Sequence, residues 1–221
     1  MFETYFCAYY LCTVVNKYRS SYQIKSTYSM KTAISYEEAK IILLKYLTTS
    51  YLKLHSIETA AIMKNLALHF GTDVVLWQST GLLHDLDMDV IDGDYSLHGY
   101  KTVALLKSEG YEIPAMFDAI VAHTEGLEVS TATRKTQFDF VLAAAESVTG
   151  IVSAYVAIKP DKKIAGTKPS SLMKKLKTKA FAASVNREFI SDITLKTGLA
   201  ETVFLQIAID SFIEIADEIG M

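Results

Sequence analysis

The sequence predicts an all-α protein. Three observations carry that expectation. From Ser35 onward apolar residues recur at helical spacing almost everywhere, strand-like alternation is scarce, and glycines and prolines fall where helices stop and start. Nine helices are expected, at about 35–49, 53–69, 73–84, 96–109, 114–124, 135–157, 170–182, 187–197 and 200–219.

The first helix is announced by a capping box, with Ser35 as N-cap and Glu38 three residues later, ahead of IILLKYL. The second presents a face of Ile57, Ala60, Ala61 and Met63 and stops at Gly71. The third, VVLWQSTGLL, is apolar enough to be buried and ends at the His84-Asp85 pair. Gly110 ends the fourth helix and Pro114 opens the fifth. The sixth carries FVLAAAESVTGIV, the seventh opens at Pro169, and Gly198 separates the last two. There is no internal repeat and no low-complexity linker.

At 221 residues, half of them apolar, the chain can bury a substantial core. A formal net charge of -3 argues against a dedicated nucleic-acid binder. Cys7 and Cys12 are the only cysteines, which excludes a disulfide framework and fits a reducing, cytoplasmic setting. Residues 1–30 read as a loosely ordered extension. Their patch YFCAYYLCTVV is too short to span a bilayer and lacks both a basic n-region and a small-residue cleavage site. It also lacks the Lys/Arg face of an interfacial helix, so no membrane partner is expected.

The candidate site is organised around GLLHDLD. Alone, His55, His98 and His123 each read as an ordinary, partly buried histidine. Alone, His84-Asp85 reads equally well as a solvated helix end. Four histidines and an aspartate, all at helix ends or first turns, form a set that core packing does not explain. Glu146 is the one charge in a long apolar stretch and needs a partner, for which a metal is the natural candidate. The acidic loop DLDMDVIDGD is not an EF-hand, because its sixth position is Val90 and its twelfth Ser96. Asp87 and Asp89 are read as helix-end and loop solvation, the other reading being that one of them orients a ligating histidine.

These residues resemble the HD-domain superfamily of metal-dependent phosphohydrolases, whose signature is a histidine, a His-Asp pair and an Asp on a later helix. Members with two metals add two histidines in between. TGIV, AIKPDKKIA and KAFAASVNRE are similar to a bacterial subgroup of predicted HD-superfamily hydrolases. The resemblance implies a single-domain helical bundle over 31–221, with a metal-site core at about 50–157 and additional C-terminal helices at about 158–221. It implies His55, His84, Asp85 and Glu146 around one metal, and Asp85 bridging to a second held by His98 and His123. Asp85 and His84 would be the catalytic pair. Where the family has Asp, this chain has Glu146, which keeps the charge on a longer arm.

Imidazole and carboxylate ligands suit divalent metals, with iron or manganese favoured and Co, Ni, Zn or Mg also admitted. Two such ions activate water and stabilise the attacking and leaving oxygens of a phosphoryl displacement. The implied activity is hydrolysis of a phosphate ester or anhydride in a nucleotide or other small phosphorylated metabolite, by a monomer or homodimer. Residues 158–188 carry nine Lys or Arg against two acids. Most read as a solvated face, and Lys163 and Arg187 are singled out as phosphate contacts. Two rivals stand beside this reading: an HD-type diiron oxygenase, and a non-catalytic nucleotide-sensing module whose metal site is impaired by Glu146.

Overall fold

The computed structural model describes residues 29–221, and Lys31–Met221 pack as one unit. Among these residues the structure is helical, with no strand and one isolated bridge between Lys31 and Tyr111. Cys7, Cys12 and the tyrosine-rich patch lie outside the described residues.

Helix α1 (Tyr36–Tyr46) begins with the expected capping box, in which Ser35 Oγ accepts from the Glu38 amide and Glu38 accepts from the Ser35 amide. It ends early because Leu47 turns into the core and the following residues serve the next helix. Helix α2 (Ser50–Phe70) starts about three residues ahead of expectation. The Asp89 carboxylate accepts from the Thr48 and Thr49 amides at 2.6 and 2.8 Å, so an acid from a distant loop caps its first turn. Gly71, with φ 65°, ends it.

Helix α3 (Val74–Leu83) returns along α2 and makes the most extensive helix pairing in the fold. The two cross tightly at Gly81, where a Cβ would lie 2.8 Å from Met63 Cγ and 3.1 Å from Ala60 Cα. After a 3₁₀ turn (Tyr95–Leu97) come α4 (Tyr100–Ser108) and α5 (Pro114–Ala122). The single helix expected at 96–109 is therefore interrupted. His98 is extended, and Gly99 has φ 77°, with an added Cβ meeting the Ile120 carbonyl at 2.9 Å.

Helix α6 (Gln137–Ile158) is the central element, with Val141, Leu142, Ala145, Val148, Ile151 and Val152 fully buried. Its β-branched residues cost up to about 0.7 kcal/mol each in helix propensity, whereas burying each contributes roughly 1.5–3 kcal/mol, so packing wins. The helix is long and apolar enough to cross a membrane, but most of it is buried inside the fold. Trp77 stacks on Phe138 at its first turn, ring centroids 5.0 Å apart.

Helix α7 (Pro169–Leu176) is followed by α8 (Arg187–Thr197), α9 (Glu201–Glu214) and the short α10 (Ala216–Ile219). The helix expected at 170–182 stops at Leu176. Beyond it the Arg187 guanidinium donates to the carbonyls of Leu176, Thr178, Phe181, Ala182 and Val185, fixing a turn with Ala182 at φ 43°. The helix expected at 200–219 likewise breaks at Ile215.

One buried acid stands apart from the histidine cluster. Glu58 on α2 is buried and accepts from Ser153 Oγ of α6 at 3.1 Å, and burial pushes its carboxyl up to about 7, against the pull of that hydrogen bond. Its neutral form is favoured in the fold. Its contribution is thus full below the ordinary value of 4.5 and lost as pH rises through about 7. Glu58→Gln is expected to match wild type at pH 4 and to exceed it by roughly 3 kcal/mol above pH 8. Urea unfolding across that range measures the difference, and a pH-independent gap would refute the assignment.

Candidate metal centre

The site forms where three helix ends meet the middle of α6. His84 is the C-cap of α3 and His123 the C-cap of α5, and each turns its Nδ1 onto the carbonyl three residues back, Gly81 and Ile120 respectively. A carbonyl only accepts, so both rings carry their proton on Nδ1 and present an Nε2 lone pair. His98 Nδ1 donates to Asp87 Oδ1 at 2.8 Å, which leaves its Nε2 free in the same way. His55, in the second turn of α2, meets Thr149 Oγ1 at 3.0 Å. That hydroxyl donates its proton to the Glu146 carbonyl at 2.6 Å, so it accepts from His55 Nδ1, and the fourth lone pair also sits on Nε2.

The four Nε2 atoms face one another in two pairs. His55 and His84 are 3.2 Å apart, His98 and His123 3.1 Å. Asp85 lies between the pairs: Oδ1 is 3.4, 3.5 and 3.3 Å from His84, His98 and His123, and Oδ2 is 3.6 Å from His55. Two groups emerge whose ligand atoms all lie within 4.8 Å of one another: His55, His84 and Glu146, and His84, Asp85 and His123. The longer arm of Glu146 therefore still reaches the cluster, with Ser147 Oγ donating to its Oε1 at 2.9 Å.

Opposed lone pairs at these distances repel unless a cation lies between them. A proton is poorly suited to the first pair, because complete burial holds the His84 imidazole down at about 3. Burial pushes Asp85 up, but the surrounding histidines, His84 foremost, hold it well below the usual carboxylate range. Burial pulls His123 down, and Asp85 more than offsets it. Glu146 is raised by burial, against the pull of His55 and His123. Two ligand nitrogens at about 2.1 Å from one ion and roughly 90–110° apart are separated by about 3.0–3.4 Å, which is the spacing of both pairs. The donor set fits divalent metal.

Asp87 is the residue that reading the sequence underrated. It is fully buried, not solvated: Oδ1 holds His98, while Oδ2 accepts from the Gly99 and Thr102 amides at 2.8 and 3.1 Å. Thr149 was also missed, although its place three residues after Glu146 puts it on the same helix face. Lys163 and Arg187 are not at the cluster. Lys163 is exposed beside Asp161 and Asp217 in a separate depression, and Arg187 is committed to the carbonyls described above. A cavity of about 460 Å³ opens over the cluster and is also lined by Leu127, Val185, Asn186 and Phe189.

Fold and cluster define a helical protein with histidine and carboxylate groups able to hold metal. The family model for the HD domain matches residues 54–151, which supports HD-domain superfamily membership for that segment. That segment contains all six residues of the cluster. No curated protein and no solved structure matches the chain significantly.

Proposed function

We propose that the chain is a metal-dependent phosphohydrolase that acts on a small phosphorylated metabolite through a dinuclear centre. The observation that supports this most is the pairing of Nε2 lone pairs, His55 with His84 and His98 with His123, on either side of one carboxylate. In this reading His55, His84 and Glu146 would hold one ion and His98 and His123 the other, with Asp85 available to both. When bound, the ions supply an activated water and charge stabilisation for phosphoryl displacement. The chain's own contribution is orientation. Gly81, Ile120, Asp87 and Thr149 each fix one imidazole, so little reorganisation is needed when a ligand arrives.

Elemental analysis of purified protein, followed by phosphate release from a broad panel of phosphorylated metabolites with Mn, Fe, Co or Mg, tests the reading. Two metals per chain and release from at least one compound are expected. Metal-replete protein that releases phosphate from none sinks it, and substrate-dependent oxygen uptake by the iron-loaded protein would replace it with the oxygenase. Glu146→Asp, which shortens the arm by one methylene, is expected to change metal affinity or rate by about tenfold. A ligand-free role predicts only a small stability change.

A further inference from the structure

We infer that the substrate carries a single phosphoryl group on an uncharged, partly apolar body. This rests on the phosphohydrolase reading and narrows it. Besides the cluster, the cavity is lined by the apolar Met88, Leu127, Val185 and Phe189, with Tyr95, Thr124, Ser184 and Asn186 among its neutral polar groups. Among the described residues, no lysine or arginine lines it. Glu125 does line it, but Arg134 holds that carboxylate at 2.6 Å. The Arg134 guanidinium uses Nε and Nη2 on Glu125 and Asp192, the latter at 3.2 Å, and lies over the Phe189 ring with its centroid at 3.9 Å, while Nη1 is buried; Arg134 does not line the cavity.

Charge accounting then selects the ligand. Two divalent ions set against Asp85, Glu146 and the buried Asp87 carboxylate beside His98 would leave a surplus of one positive charge, which a single phosphoryl group neutralises. A second phosphate, whether condensed onto the first or carried at the far end of the molecule, would lie against the neutral wall. Losing water there without a cationic partner is unfavourable. The apolar lining residues instead favour a body that gains by leaving water.

The test is calorimetric binding to the full chain loaded with manganese, with activity left aside. Phenyl phosphate is expected to bind about tenfold more tightly than inorganic phosphate, which corresponds to one ring partly buried against the wall. A hexose 1,6-bisphosphate is expected to bind no more tightly than the hexose 6-phosphate. A bisphosphate preference of tenfold or more would overturn the inference while leaving the phosphohydrolase reading intact. Failure of inorganic phosphate itself to bind would overturn both. Ser184 is exposed at the wall, so Ser184→Lys is tolerable to the fold. It is expected to raise the ratio of bisphosphate to monophosphate affinity by about tenfold, the scale of one charge-assisted contact. An unchanged ratio would show that this wall does not face the ligand.

Discussion

Asp85→Ala is expected to abolish metal-dependent phosphate release and to lower metal affinity by more than about 100-fold, beyond the 10–100-fold typical of residues that only orient ligands. The reason is geometric. Asp85 is the one group within 3.6 Å of all four imidazoles, its Oδ2 toward His55 and its Oδ1 toward the other three. Without it the two nitrogen pairs remain, but nothing negative stands between them. A readout independent of turnover is thermal unfolding with and without metal. At a metal concentration about 100 times Kd the wild type gains about 2.7 kcal/mol, a rise of roughly 5–10 °C in Tm for a chain of this size. Asp85→Ala is expected to show no rise. Asp89→Ala is the contrast within the same acidic loop: it loses the cap on α2, about 1 kcal/mol, and keeps the metal-dependent shift. Equal metal-dependent shifts in Asp85→Ala and wild type would remove Asp85 from the centre.

That three aspartates two residues apart do three different jobs marks the boundary of what the sequence discloses. Helix order, the capping box at Ser35 and the stops at Gly71 and Gly198 were legible because each depends on neighbours within a turn. His84, Asp85, His98 and His123 stood out because they fall at helix ends, where side chains can converge, and Glu146 because it is a lone charge in the middle of an apolar helix. Asp85, Asp87 and Asp89 were not separable, because their roles depend on contacts 11 to 41 residues away. Asp87 meets His98 and Thr102 only because Gly99 lets the chain turn back upon it, and Asp89 caps a helix that begins 40 residues earlier. His55 is held by Thr149 across 94 positions. Arg187 looked like a phosphate contact for the same reason. A guanidinium in a basic stretch does not announce that five carbonyls of residues 176–185 will claim it.

Asp87→Ala is expected to cost about 3–5 kcal/mol of stability, the largest loss of any single polar substitution around the centre. Its carboxylate is fully buried and accepts three hydrogen bonds, from His98 Nδ1 and the amides of Gly99 and Thr102. Removing it leaves three buried donors without an acceptor, and two of those donors are backbone groups that cannot rotate away. Asp87→Asn tests the charge separately from the shape. An amide keeps one accepting oxygen but turns a donor toward donors, so the substitution is expected to recover only part of the loss. The functional consequence falls on one half of the site. His98 without Asp87 is free to flip and loses the tautomer that leaves Nε2 bare, whereas His55, His84 and Glu146 are held by Gly81, Thr149 and α6 and keep their places. Below its lowered melting temperature, Asp87→Ala is therefore expected to retain one metal per chain and lose the other by elemental analysis. Loss of both ions together would mean that the halves form one cooperative unit, and retention of both would mean that His98 is not a ligand. The same carboxylate anchors the turn into α4, so stability and metal content should fall together in Asp87→Ala and separate in Asp85→Ala, which lacks that structural bond.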